Sequence, residues 1–192
     1  MTWIDRWLQS WRLRKAVPFL VPGMRVLDLG SADGVLFERF AQCGSGSMGI
    51  DPTLESDRTM PSGFLLHRGF FPADMPADAG PFDAVVMLAV LEHFPESQHR
   101  RLSEGVARLL RPGGRLILTV PHAAVDGILR VLSALGLVHG MSLEEHHGFE
   151  VRRTPGIFAP PMFRLVHRSR FQLGLNHLFV FERMESPRNG EP

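Results

Sequence analysis

The sequence lacks several features that would point to a function directly. In 192 residues it has one cysteine, Cys43, one lysine, Lys15, and no tyrosine. A single cysteine excludes an intramolecular disulfide and a cysteine-based zinc cluster, so a reducing compartment is expected. The longest uninterrupted apolar run, residues 84–91, is too short to cross a bilayer. With 21 basic and 20 acidic residues the formal charge is +1, which provides no global field for nucleic acid or an anionic membrane.

These absences favour a soluble cytoplasmic protein, a monomer or homodimer that binds small molecules, without a nucleic-acid partner or stable membrane insertion. The length and the 44% apolar content predict one domain over residues 1–192. Within it we expect an N-terminal helix at 1–17, a core at 24–120 and a substrate-side region at 121–185. Three tryptophans recur at helical spacing in the first segment: Trp3, Trp7 and Trp11. They fit a lid over the sheet edge, packing on the sheet, or an interfacial membrane helix.

Apolar runs alternate with helical patterns along most of the chain. The runs are continuous rather than alternating, which is typical of parallel strands covered on both faces. Two final strands are close enough in sequence to pair antiparallel. The fold class is therefore α/β: a Rossmann-like, doubly wound, mostly parallel seven-stranded sheet that ends in an antiparallel pair. The predicted strands are 24–29, 48–50, 64–67, 82–88, 115–120, 162–171 and 175–182.

A glycine-containing turn follows the first predicted strand. It brings backbone N–H groups and the start of a helix to the carboxyl edge of the sheet, where an anionic or polar ligand binds. Asp51 follows the second strand, about twenty residues after Gly30, where a carboxylate can accept hydrogen bonds from both hydroxyls of a ribose. Together the two features predict a nucleoside site.

Four segments in order carry a family resemblance. They read VLDLGSADG at 26–34, GIDP at 49–52, FDAVV to VLEH across 82–93, and LRPGGRL at 110–116. The chain resembles class I S-adenosylmethionine-dependent methyltransferases, of the broad group typified by the ubiquinone and menaquinone biosynthesis enzymes. The resemblance covers about residues 24–120 and implies S-adenosylmethionine as cofactor.

The resemblance also implies which residues hold this cofactor. The turn would line its methionine and ribose parts, Asp51 with the adjacent Pro52 would bind the ribose diol, and the chain at Met87 and Leu88 would offer a carbonyl to the methionine amino group. Asp83, at the opposite end of its strand, is expected to be structural. The turn residues implied are Asp28, Gly30, Ser31 and Ala32.

Two positions depart from the family pattern. Ala32 replaces the middle glycine of the first motif, which still permits close backbone approach if its φ is negative. Phe70 stands where an acid that accepts from the adenine amino group is expected. Adenine would then contact Phe70 or Phe71, with Asp74 as a displaced acceptor; alternatively, both phenylalanines fill the core.

Methyl transfer from a sulfonium is an in-line displacement, and an oxygen nucleophile gains from a general base. Histidine suits that role near neutral pH. His93 could instead stabilise local structure, and the histidine pair after residue 145 could be an exposed loop. No metal site is predicted, because no pair of histidines at helical spacing has a third ligand. The candidate bases, all expected near the carboxyl edge, are His93, His122, His146 and His147.

The reaction predicted is methylation of a small-molecule hydroxyl or carboxylate oxygen in a biosynthetic pathway. The chain has neither the Asn/Asp-Pro-Pro-Tyr tetrapeptide of base and amide N-methylation nor a Pro-Cys nucleophile. Two alternatives stay open from the sequence: a noncatalytic methyltransferase-like scaffold and a nicotinamide-dependent oxidoreductase. Calorimetry with S-adenosylhomocysteine and with NAD separates all three.

Overall fold

Eight strands form one open sheet in a computed structural model that describes residues 3–122 and 149–185. The spatial order of the strands is β3-β4-β2-β1-β5-β6-β8-β7. The strands are Val26–Leu29 (β1), Met48–Asp51 (β2), Arg58–Thr59 (β3), Leu65–Arg68 (β4), Phe82–Leu88 (β5), Leu110–Pro121 (β6), Phe163–Phe171 (β7) and Asn176–Arg183 (β8). The helices are Trp3–Ala16 (α1), Val35–Arg39 (α2), His99–Leu109 (α3) and the single turn Thr154–Ile157 (α4).

The sheet is doubly wound about β1. This strand pairs in parallel with β2 on one side and with β5 on the other, and the parallel pairs β2–β4 and β5–β6 extend it outward. The chain order reverses between β1 and β5, and ligands bind at the carboxyl ends of strands at such a switch point. Beyond β6, strand β8 runs antiparallel to both β6 and β7. The predicted architecture is confirmed.

The predicted number of seven strands is wrong by one. The additional strand, β3, has two exposed residues and pairs antiparallel with β4 at the sheet edge. A strand of two exposed residues contains no apolar run, so the sequence pattern does not reveal it. It is recognised only by its backbone pairing with β4. The division of the chain at residues 24–120 and 121–185 stays a prediction.

Two apolar clusters cover the two faces of the sheet. One contains Leu102 and Val106 of α3, and the other contains Leu13 and Ala16 of α1. The end of α1 therefore packs on the sheet, while Trp7 is half exposed and meets Trp11 edge to face with ring centroids 4.9 Å apart. Among the described residues, no helix is long and apolar enough to span a bilayer.

Asp83 links the amino-terminal end of β5 to Arg25 and Arg111, as expected for a structural residue. Its Oδ2 accepts the Arg25 backbone N–H at 2.7 Å, and its Oδ1 pairs with the Arg111 side chain. Burial acts to raise the pKa of Asp83, but the Arg25 hydrogen bond and the Arg111 guanidinium outweigh it and hold the pKa below its ordinary value.

Asp83→Ala is expected to lower the free energy of unfolding by about 1–2 kcal/mol at pH 7, because two donors lose their acceptor. A carboxyl whose folded pKa is lowered stabilises the fold above its ordinary pKa, and this is lost as the pH falls through the folded value. Urea denaturation should therefore show the difference from the unsubstituted protein shrinking in acid. The exposed Asp78→Ala variant is the control, and equal losses in both variants would contradict the role.

Candidate functional site

The turn after β1 approaches the loop after β5 so closely that it requires glycine. Gly30 has φ +75°, and a Cβ built there would lie 2.4 Å from Cγ2 of Val90. The Gly30 N–H donates to the Ile50 carbonyl at 2.9 Å, and the Gly34 N–H closes the turn on the Ser31 carbonyl at 2.7 Å. This turn joins three strands at the switch point.

The helix that follows the turn is shorter than the sequence suggests. Helix α2, Val35–Arg39, has five residues and begins after Gly34, whose φ is +82°. The aligned peptide dipoles of one turn give only a weak field. The start of this helix therefore contributes less to the field at this edge than the motif suggests, and side chains and the turn backbone supply the other polar groups.

Asp51 is fixed in place by its neighbours. At the carboxyl end of β2 it is 6% exposed. One carboxylate oxygen, Oδ2, accepts the Ala32 N–H at 2.8 Å, and the other, Oδ1, accepts the Thr53 N–H at 2.8 Å and the Thr53 hydroxyl at 2.6 Å. A carboxylate has about four acceptor positions, so capacity is left for a ligand. Thr53 was not predicted, although the Asp-x-Thr spacing signals such a turn.

Asp28 is a second buried carboxylate beside Asp51. It is 6% exposed. Burial raises its pKa well above the ordinary value, and the charges of Asp51 and Asp33 add to the increase. Buried like charges without a counterion are costly, so this part of the edge favours a cationic ligand.

Ala32 has φ +43°, so the condition of a negative φ, under which alanine was expected to permit close backbone approach, is not met. This backbone conformation points its N–H at Asp51, 2.8 Å away. An alanine in the left-handed region is strained, and the hydrogen bond to a buried carboxylate offsets part of that cost.

Ala32→Gly is expected to raise the free energy of unfolding by about 0.5–1 kcal/mol. Relief of the left-handed strain exceeds the extra backbone entropy of glycine in the unfolded chain. Affinity for S-adenosylhomocysteine should stay within about twofold, since the donated N–H is unchanged. Chemical denaturation and calorimetry measure the two quantities. A decrease in stability would show that the residue is not strained.

The end of β5 presents backbone rather than side chains to the site. Met87 is fully buried in one apolar cluster, and Leu88 packs against the other. The next residue, Ala89, has φ +58° and donates its N–H to the Thr119 carbonyl at 3.0 Å. Sequence patterns give no signal for this bend or for the contact of Val90 with the turn.

The two phenylalanines after β4 have different surroundings. Phe71 is 9% exposed and belongs to the core, as the core-filling alternative holds, whereas Phe70 is 68% exposed. The Phe70 N–H donates to Oδ2 of Asp74 at 2.8 Å, so one oxygen of that carboxylate is already engaged. Pro52 is exposed beside Asp51. Phe70 and Pro52 thus remain available to a ligand, and Phe71 does not.

Two of the four predicted histidines lie in the described residues. His93 ends the short helical turn Leu91–His93 after β5, and His122 directly follows β6. Both are exposed at the same carboxyl edge. His146 and His147 lie outside the described residues. His122 stacks on His177 of β8, with ring centroids 6.1 Å apart and 22° between the planes. His177 was not predicted as a site residue, because a histidine within an apolar strand is ordinarily interpreted as part of the core.

Two features together define the class of Rossmann-like methyltransferases. The first is a doubly wound sheet with an antiparallel final pair, and the second is a set of two buried carboxylates, Asp28 within β1 and Asp51 at the end of β2. Comparison with known proteins agrees. The methyltransferase domain family matches residues 4–154, and the chain belongs to that family. It is therefore an S-adenosylmethionine-dependent methyltransferase, which decides against the oxidoreductase and the noncatalytic scaffold.

Similar proteins share this fold at low sequence identity. A ubiquinone biosynthesis O-methyltransferase of Rhizobium etli is 24% identical over 190 residues, covering 86% of this chain and 75% of the relative. The N-methyltransferase NodS of Bradyrhizobium japonicum, solved with S-adenosylhomocysteine, superposes with a TM-score of 0.61 at 19% identity, covering 94% of this chain and 88% of NodS. A Burkholderia thailandensis 1,6-didemethyltoxoflavin-N1-methyltransferase gives a TM-score of 0.66 at 17% identity, covering 95% and 81%.

The residues present fit S-adenosylmethionine. Asp28 and Asp51 form a buried anionic site without a counterion among the described residues, and the cofactor carries a sulfonium and an ammonium group. The Ser31 hydroxyl is buried without a hydrogen-bond partner in the described part of the chain, so a polar ligand atom could satisfy it. Across residues 3–122 and 149–185, no group of three His, Cys, Asp or Glu side chains is arranged to hold a metal ion.

Proposed function

We propose that this methyltransferase transfers the methyl group to an oxygen, a hydroxyl or carboxylate, of a small molecule. The observation that supports the cofactor part of this proposal is the pair of carboxyl groups Asp28 and Asp51, which are buried and have no cation beside them among the described residues. The O-methyltransferase among the similar proteins and the lack of N-methylation motifs support oxygen as the acceptor atom. S-adenosylmethionine supplies an electrophilic methyl group on a positively charged sulfur.

Roles follow from position in the site. Asp51 would accept hydrogen bonds from the ribose diol while Ala32 and Thr53 hold its carboxylate still. Asp28 and the Gly30–Ser31 backbone would face the methionine half, and the backbone at Met87 and Leu88 would accept from its amino group. Exposed Phe70 and Pro52 would contact the adenine.

The protein has to align the acceptor oxygen with the methyl carbon at roughly 3–3.5 Å and keep water away. A histidine at the carboxyl edge would take the hydroxyl proton. His122 is the stronger candidate of the two described, because it follows β6, whose end is hydrogen-bonded to Ala89 at the end of β5. His93, His146 and His147 stay in the proposal as alternatives. Proton transfer of this kind typically contributes 10²–10⁴-fold in rate.

Transfer of a labelled methyl group tests the acceptor atom. The protein is incubated with methyl-labelled S-adenosylmethionine and a panel of phenols and carboxylic acids, each paired with the matching aromatic amine or amide. Label on the oxygen compounds alone is expected. Label on the amines instead would contradict O-methylation while leaving the methyltransferase assignment intact. Calorimetry with S-adenosylhomocysteine and with NAD checks the cofactor independently, and binding of NAD alone would contradict the assignment.

A cytoplasmic location, a place in a biosynthetic pathway, a monomeric or homodimeric state and the absence of a nucleic-acid partner stay part of the proposal. They are compatible with a small-molecule enzyme of near-neutral charge.

A further inference from the structure

Imidazole and guanidinium groups line one face of the sheet beyond the cofactor site. His177 of β8 pairs with Val120 of β6 on one side and with Arg170 of β7 on the other. Two residues further along β8, Phe179 pairs with Arg168 of β7. The guanidinium carbon of Arg168 lies 5.2 Å from the centre of the Phe179 ring. Directly paired residues in a sheet share a face. We refer to His122, Arg168, Arg170 and His177 as the β8 cationic cluster.

His177 is buried within the cluster. It is 4% exposed, and neither ring nitrogen has a hydrogen-bond partner in the described part of the chain. Its ring is stacked between those of His122 and Phe179, whose centroids lie 6.1 and 6.2 Å away. Buried polar side chains in native proteins nearly always have partners. Two unpartnered nitrogens at a substrate-side edge therefore mark a place for a polar atom of a ligand.

Two arginines of the cluster, Arg168 and Arg170, carry positive charge that no acid of the described residues neutralises. Arg168 and Arg170 are exposed, and neither forms an ion pair within residues 3–122 and 149–185. Arg164, at the other end of the same strand, does pair with Glu182 at 2.9 Å. Burial lowers the pKa of His177, and Arg170, Arg168 and His122 lower it further. An anion bound beside His177 would act in the opposite direction and raise its pKa.

The distance from the cofactor site suits a substrate head group. In the sheet β8 is the second strand from β5 and β7 the third, and neighbouring strands lie about 4.8 Å apart. His177 on β8 is therefore about 10 Å from β5, and the backbone of Arg168 and Arg170 on β7 about 14 Å. A hydroxyl on a small aromatic or similarly sized molecule could reach the methyl group while a charged substituent at the far end reaches β8.

We propose that the β8 cationic cluster binds an anionic group, a carboxylate or phosphate, of the methyl acceptor. This inference rests on the proposed function. The hydroxyl of the acceptor molecule is then the group that is methylated, and its anionic group is the one that the protein binds. The guanidinium groups of Arg168 and Arg170 match the paired oxygens of either anion. His177 donates one ring N–H to the same group.

Titration with small anions tests the cluster. Benzoate, phenyl phosphate and the neutral benzamide are added to the protein with and without S-adenosylhomocysteine, and binding is followed by calorimetry and by the His177 ring signals in NMR spectra. At least one of the two anions is expected to bind saturably and shift the His177 signals, and benzamide is not. The anion that binds more tightly identifies carboxylate or phosphate as the preferred group.

Variants locate the binding. The double substitution Arg168→Gln and Arg170→Gln should weaken the bound anion at least tenfold, whereas Arg164→Gln, on the same strand, should leave its affinity unchanged. Affinity for S-adenosylhomocysteine should be the same in all three proteins. Equal binding of benzamide, no binding of either anion, or an equal loss in Arg164→Gln would overturn the inference. Failure of S-adenosylhomocysteine to bind would count against the proposed function instead, because the anion titrations are also run without it.

Discussion

Asp51→Ala is expected to weaken binding of S-adenosylhomocysteine by about 1–3 kcal/mol, or about 5- to 150-fold. The substitution removes the acceptor proposed for the ribose diol, and hydrogen bonds to a charged group are stronger than neutral ones. It also leaves the Ala32 N–H and the Thr53 hydroxyl without their acceptor. The free energy of unfolding should therefore fall by about 1–3 kcal/mol as well.

A companion variant separates the two effects of Asp51→Ala. Thr53→Val removes the 2.6 Å bond from the hydroxyl to the carboxylate and leaves the carboxylate itself in place. It should lower the unfolding free energy by about 1 kcal/mol while keeping most of the affinity. Calorimetry at a temperature where all proteins are folded gives the affinities. If Asp51→Ala bound S-adenosylhomocysteine like the unsubstituted protein, the ribose role would be wrong.

Asp28→Asn is expected to change stability and binding in opposite directions. The substitution removes a buried carboxyl whose ionisation is opposed by burial and which has no counterion among the described residues, so the ligand-free protein should gain about 1–2 kcal/mol of unfolding free energy at neutral pH. The ionised form of Asp28 would stabilise the cationic cofactor. Affinity for S-adenosylmethionine should therefore fall by about 1–3 kcal/mol, and affinity for S-adenosylhomocysteine, which lacks the sulfonium charge, should fall less.

The pH dependence of stability and of cofactor affinity, measured for the unsubstituted and the Asp28→Asn proteins, gives an independent check. The pKa of Asp28 is raised in the folded state, mainly by burial, so the unfolded chain loses this proton first as the pH rises. The stability of the ligand-free protein should fall as the pH rises from the ordinary pKa of 3.8 toward the folded value. Affinity for the cationic cofactor should rise over the upper part of that window, since ionised Asp28 binds it better.

Asp28→Asn should remove the Asp28 contribution to both slopes. The matched control is Asp33→Asn, because Asp33 is exposed and is the smallest of the causes acting on Asp28. Thermal unfolding and calorimetry across the pH range provide the data. Two results would contradict the role of Asp28. One is an Asp28→Asn protein that is less stable than the unsubstituted protein at neutral pH, and the other is an equal loss of affinity for S-adenosylmethionine and S-adenosylhomocysteine.

The predicted fold was largely correct because its signals are local. Continuous apolar runs mark buried parallel strands, and proline or glycine marks their ends, so β5 was predicted with its observed bounds, Phe82–Leu88. Strand β3 was missed because its two residues are exposed and its pairing with β4 leaves no mark in the sequence. The family resemblance predicted that no acid stands on the adenine side, but only packing distinguished exposed Phe70 from buried Phe71.

By itself, the sequence determined the order of the seven longer strands, the turn with Gly30 and the position of Asp51 at the end of β2, since each depends on residues near one another in the chain. The tertiary structure decided that Asp28 and Asp51 share one buried site, and that Ala32 takes a positive φ. It also placed His177 between β6 and β7, beside Arg170. These features arise when strands far apart in sequence pair and exclude water, and burial then changes the energy of a charge that the sequence alone presents as ordinary.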